Sequence, residues 1–111
     1  MKSKKIVLWL DDERNPRSYY DNENYDVTWC KSVNDAIDKY LFLKDLNIAM
    51  IIDLDHDAGD YAAEGGDYIK FLDWMEEHYP NDMQTISWKV HSMNIIGIQN
   101  MFRILNRNGV Y

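Results

Sequence analysis

The chain has 111 residues, 46% hydrophobic and 28% charged, with a single cysteine. That length suits one globular domain spanning residues 1–111 and burying about 60–70% of its unfolded surface, and the lone Cys30 excludes an intrachain disulfide and a cysteine-based zinc site. The net charge of -7 argues against a broad surface for duplex nucleic acid, and the apolar run near the N-terminus is too short for a signal peptide or a membrane span, so a cytoplasmic location without membrane contact is expected.

Ile6–Leu10 is a short apolar run ending in Asp11-Asp12-Glu13, the length of a strand buried on both faces. Arg14–Tyr25 contains Pro16 and the polar stretch Asp21–Asn24, which predicts irregular chain with at most one helical turn. Asp26–Lys31 is rich in β-formers and predicts a second strand. Ser32 follows as N-cap, with Asp35 three residues on. Val33, Ala36, Ile37, Tyr40 and Leu41 then recur at helical spacing through Lys44.

Ile48–Ile52 predicts a central third strand, breaking into Asp53-Leu54-Asp55-His56-Asp57. After a glycine-rich turn, Tyr68, Phe71, Leu72 and Met75 mark one face of a helix over Tyr68–His78, stopped by Pro80. Thr85–Ser92 predicts a fourth strand. Asn94 caps a last helix carrying Ile95, Ile98, Met101, Ile104 and Leu105, which ends at Asn108-Gly109. Strands alternating with helices imply an α/β domain with a mainly parallel sheet and right-handed crossovers, whose sites gather at the carboxyl ends of the strands.

Of the 19 acidic residues, nine fall in three turns: Asp11, Asp12 and Glu13; Asp53, Asp55, Asp57 and Asp60; Glu64 and Asp67. Two carboxylates about 4 Å apart repel by roughly 4 kcal/mol at an effective dielectric near 20, so a convergent set holds protons or a cation. The divalent-metal candidates are Asp11, Asp12, Asp55 and Asp57, with Mg or Mn the expected ion; the nearby histidines keep iron and zinc open. Glu13, Asp60 and Glu64 read as solvated turn residues. Asp53 joins Asp55 and Asp57 on one side only if the strand stays extended that far. His56 and His91, at strand ends, are candidates for proton transfer, alongside Asp55 and Asp57. Ser92, Asn94 and Arg14 are phosphate-binding candidates, whereas His78 reads as a charge partner for a helix C-terminus. Trp9, Trp29, Trp74 and Trp88 read as core or half-buried surface, with base stacking the lesser alternative.

Four blocks, LWLDDER at Leu8–Arg14, DLDHDAG at Asp53–Gly59, GGDYIKFLDWMEEH at Gly65–His78 and VHSMNIIGIQNM at Val90–Met101, resemble the receiver-like family named for cyclic-phosphate processing, an offshoot of response-regulator receiver domains. The resemblance implies a flavodoxin-like fold with a four-stranded sheet in the order 2-1-3-4 flanked by helices. It also implies an enzymatic role on 2',3'-cyclic phosphate ends of RNA or on cyclic nucleotides. Carried over, Asp11, Asp12, Asp55, His56, Asp57, His91, Ser92 and Asn94 match the family's polar motif positions. A signalling receiver also carries a lysine after a later strand, for which Lys89 is a poor substitute. The expectation is therefore a metal-dependent phosphoesterase acting on a cyclic-phosphate nucleotide or RNA end. The alternatives are a phosphoaspartate or pseudo-receiver signalling domain and a small protein that sequesters a nucleotide or blocks a host protein. Composition sets no oligomeric state.

Overall fold

A computed structural model describes residues 4–110; the basic start at Met1–Ser3 lies outside the described residues. Four strands form one parallel sheet: β1 (Lys5–Leu10), β2 (Tyr25–Cys30), β3 (Met50–Leu54) and β4 (Ser87–Val90), in the order β2-β1-β3-β4. Three helices, α1 (Val33–Leu43), α2 (Ile69–His78) and α3 (Ile95–Arg107), connect or follow them. This is the expected receiver-like architecture. No helix is long and apolar enough to cross a membrane among the described residues.

Several boundaries move for local reasons. β3 begins two residues later than the apolar run suggests. A 3-10 turn over Lys44–Leu46 and a left-handed Asn47 (φ 56°) use up chain first, leaving Ile48 exposed. The strand consequently runs through Asp53, which pairs with Trp9 on one side and Lys89 on the other. β2 starts at Tyr25 rather than Asp26, because Lys5 N–H reaches back to Asn24 O at 3.2 Å and sets the register. β4 is shorter than expected. A 3-10 turn over Asp82–Gln84 occupies its approach, and the chain leaves the sheet after Val90. The helix starts follow their caps: the Ser32 hydroxyl accepts from Asp35 N–H, and the Asn94 side chain from Gly97 N–H. Each such cap stabilises its helix by about 1 kcal/mol.

Strand alternation sorts the core. Ile6, Leu8, Leu10, Met50, Ile52 and Leu54 share one cluster with the buried residues of all three helices, among them Ala36, Phe71, Leu72, Met101 and Leu105. The opposite face presents Val7, Trp9 and Ile51, and what buries them is Tyr20, with Tyr25, Val27 and Trp29 packed alongside. β1 is thus buried on both faces as expected, but the second cover is the irregular segment between β1 and β2 rather than a helix. One 3-10 turn at Pro16–Ser18 shapes that segment. Pro16 O accepts from Tyr19 and Tyr20 N–H, and Tyr19 stacks on Trp9 with ring centroids 5.0 Å apart.

Candidate functional site

The parallel ladder continues one residue past the strands. Asp11 N–H donates to Cys30 O (3.3 Å), Asp55 N–H to Leu10 O (2.9 Å) and His91 N–H to Leu54 O (3.0 Å). These bonds fix Asp11, Asp55 and His91 at one carboxyl edge, where β1 and β3 lie side by side and their connections diverge to opposite sides.

Asp11, Asp12 and Asp55 each offer one carboxylate oxygen within 4.8 Å of the other two. Their freedom differs. Asp11 is 1% exposed, and its Oδ1 accepts from Glu13 N–H (2.8 Å) and Arg14 N–H (2.9 Å), while its Oδ2 lies 2.9 Å from His91 Nε2. Asp55 accepts from His56 N–H through Oδ1 at 2.7 Å, leaving Oδ2 open. Partial burial, reinforced by the charges of Glu13, Asp11 and Asp55, holds the Asp12 carboxyl above the usual range against the pull of its own backbone N–H. Gly59, at φ +56°, passes so close that a side chain there would strike Asp12 Oδ2. No lysine or arginine among the described residues pairs with these three acids; Lys89 Nζ instead sits 5.7 Å over the Tyr20 ring. Asp12 and Asp55, hard oxygen donors with no lysine or arginine beside them, fit a divalent ion of the magnesium type, whereas both oxygens of Asp11 are already engaged.

His91 is clamped. Its Nδ1 lies 2.6 Å from Asp53 Oδ1 and its Nε2 2.9 Å from Asp11 Oδ2, and its ring stacks on Trp9 at 3.9 Å with 6° between planes. Asp53, itself buried, receives the Tyr20 hydroxyl on its other oxygen at 2.6 Å. Burial by itself disfavours a charged His91, but the hydrogen bonds and charges of Asp53 and Asp11 outweigh it and raise the imidazole above its ordinary value. Burial and the Asp53 contact likewise push the Tyr20 phenol up, so it stays a neutral donor. A single parity rule builds this chain: Trp9 and Asp11, Ile51 and Asp53, and Lys89 and His91 alternate onto the face that carries no helix.

A second group sits across the edge. His56 Nδ1 is 2.8 Å from Asp57 Oδ1 and 3.4 Å from the Asn94 amide nitrogen, and His56, Asp57 and Asp67 also bring ligand atoms within 4.8 Å. Asp67 Oδ1 already accepts from Ala58 N–H at 3.0 Å. The His56 ring lies against Gly97 in the first turn of α3, where any Cβ would overlap it. Asn94 caps that helix, and the Ser92 hydroxyl accepts from Asn94 N–H at 3.1 Å. The expected metal set therefore divides. Asp57 belongs with His56 and Asp67, not with Asp11, Asp12 and Asp55, because the chain leaves the extended conformation after Leu54 and the alternation that would align Asp53, Asp55 and Asp57 is lost. Arg14 is exposed, and its contacts to the site are made by its backbone: the N–H to Asp11 and the carbonyl to the Trp9 indole N–H. His78 ends α2 as expected, 4.0 Å from Glu77.

The sequence profile of the cyclic-phosphate processing receiver domain family matches residues 6–107. The chain belongs to that family. No curated protein and no solved structure matches it. In this cyclic-phosphate processing receiver domain the motif residues Asp11, Asp12, Asp55, His56, Asp57, His91, Ser92 and Asn94 all come to the carboxyl edge.

Four participants are not among the site residues expected from the sequence. Asp53, Tyr20, Trp9 and Gly97 hold the two histidines in place. Strand parity across 9, 11, 53 and 91 is a signal that points to Asp53 and Trp9. Nothing local marks Tyr20, which reaches the site from an irregular crossover.

Proposed function

We propose that this receiver-like domain is a metal-assisted phosphoesterase that opens cyclic phosphates, with a nucleotide or RNA 2',3'-cyclic phosphate as substrate. The observation that carries the reading is the pairing, at one edge, of open carboxylates on Asp12 and Asp55 with an imidazole, His56, seated at the N-terminus of α3. The family's association with cyclic-phosphate processing agrees with it.

Asp12 and Asp55 would hold a Mg or Mn ion, which supplies positive charge to a phosphoryl oxygen. The backbone N–H groups of Ile95 and Ile96 in the first turn of α3, which the Asn94 cap does not take up, would face the remaining phosphate oxygens together with the Ser92 hydroxyl. His56 is the proton donor. Its Nδ1–H donates to the Asp57 carboxylate, so Nε2 is the nitrogen left for the substrate. His91 does not share this role, since both of its nitrogens are occupied by Asp53 and Asp11. It acts as a bridge that holds the buried Asp11 and Asp53 side chains in place.

In the reaction, water oxygen bonds to phosphorus and the bond from phosphorus to one ribose oxygen breaks. The His56 imidazolium gives that oxygen its proton, and the proton released by water restores the imidazolium through solvent. The product is a phosphomonoester. The test is incubation of the pure protein with 2',3'-cyclic nucleotides and Mg or Mn, followed by phosphorus NMR. Conversion lost in His56→Gln supports the reading, and absence of turnover with every metal removes it.

A further inference from the structure

Beside the acidic edge lies a cavity of about 470 Å³ lined by Trp29, Lys31, Ser32, Asp35, Tyr61 and Glu64, within the size range of small-ligand sites. It adjoins the proposed site. The Trp29 indole N–H donates to Asp11 O at 2.6 Å, the Tyr68 hydroxyl, which feels the charges of Asp12, Asp11 and Asp55, donates to Lys31 O at 2.8 Å, and the 3-10 turn carrying Tyr61 begins at Gly59, against Asp12. Its aromatic walls are Trp29 and Tyr61, and Lys31 Nζ lies 4.7 Å over the Trp29 ring as its only cation. The Asp35 and Glu64 carboxylates, both in the lining, accept no hydrogen bond from any described residue.

This composition selects its ligand. The aromatic lining favours a planar ring, because every base offers a π-face to the Tyr61 phenol, with Trp29 beside it under the Lys31 ammonium. Two free carboxylates repel a bare anion and favour an edge that donates N–H groups, and a carboxylate takes two parallel donors best. Guanine offers such a pair at N1 and its amino group. Uracil offers a single N–H flanked by carbonyls. The lone lysine at the wall suits a phosphate attached to the same nucleoside.

We infer that the cavity between Trp29 and Tyr61 receives the nucleobase of the substrate, and guanine in preference to uracil. The assignment rests on the phosphoesterase reading for the word substrate, but the base site itself stands on the cavity's own walls and charges. Chemical exchange aside, it predicts binding of an uncharged nucleoside in the absence of metal and of phosphate.

The experiment is a nitrogen–proton NMR titration of the full chain with guanosine and, in parallel, uridine. Guanosine shifts the Trp29 indole and the Lys31, Ser32 and Tyr61 amides, and binds about tenfold more tightly than uridine, the effect of one charge-assisted pair. Glu64→Gln and Asp35→Asn, both at solvent-reachable positions, reduce that preference, and Tyr61→Ser weakens both nucleosides roughly tenfold through lost stacking. Should Tyr61→Ser melt early, the two carboxylate variants carry the test alone. A guanosine mononucleotide and a short RNA ending in guanosine, titrated alike, tell a free nucleotide from an RNA end by which binds tighter at the same residues. Shifts at these positions support the base site whether or not turnover occurs. Shifts confined to other residues, such as Met93, Ile95 and Ile96, or none at all, overturn it even if cyclic phosphates are hydrolysed.

Discussion

Replacing Tyr20 by phenylalanine removes one oxygen from the chain Tyr20–Asp53–His91–Asp11 and leaves the ring in its packing against Trp9. The lost bond is short, 2.6 Å, and its acceptor is a carboxylate only 6% exposed, so water has little access to replace the hydroxyl. Hydrogen bonds to charged groups contribute about 1.5–3 kcal/mol, so Tyr20→Phe should destabilise the fold by roughly 2 kcal/mol. For a domain of this size that lowers Tm by roughly 8 °C. His91 keeps both carboxylate partners, so its ring should stay stacked on Trp9, while an Asp53 stripped of one donor attracts the imidazole proton more strongly. Urea melts give the first quantity and ring-nitrogen NMR of His91 gives the second. A variant within about 0.5 kcal/mol of the parent, the range of an ordinary surface change, refutes the buried chain as described.

The His91 pKa gives a pH prediction. It is raised in the folded protein above the ordinary 6.5, so the stabilisation from its charged form is fully present below about pH 6.5 and is lost as pH climbs through the folded value. Melting temperature should therefore fall on the alkaline side, and His91→Gln should flatten that decline; parallel profiles for the two proteins would show another group responsible. Gly97→Ala adds a methyl where the His56 ring lies. Alanine gains about 1 kcal/mol of helix propensity, while overpacking against the His56 side chain, only 15% exposed, costs about 1–3 kcal/mol, so stability should fall by no more than about 2 kcal/mol. Turnover of a cyclic nucleotide should fall about a hundredfold or more if His56 donates the proton, and unchanged turnover would remove His56 from that role. Mg or Mn at a hundred times its dissociation constant should stabilise the protein by about 2.7 kcal/mol in calorimetry. Asp12→Asn and Asp55→Asn should abolish the gain and Asp57→Asn should preserve it, as Asp57 lies in the other group; melting indifferent to either ion would dismiss the metal site.

Element types and the edge at which the chemistry collects are legible in local sequence. Apolar runs broken by carboxylates at Leu10–Asp11 and Leu54–Asp55 are local facts, as are the caps at Ser32 and Asn94, because period-two and period-3.6 patterns and short-range hydrogen bonds act within a few residues. β3 starts two residues after its apolar run because a left-handed Asn47 and a 3-10 turn are decided by how the chain must climb back to the sheet. Which acid meets which imidazole is settled by long-range packing. Asp53 lies 38 residues from His91 and Asp11 lies 80, and their meeting depends on the register of β1, β3 and β4. Tyr20 closes that set from a crossover with no repeating pattern, 33 residues away from Asp53. A local pattern tells which side of a strand a carboxylate occupies, whereas its partner is fixed by strand register and by the packing of the segment laid over that face.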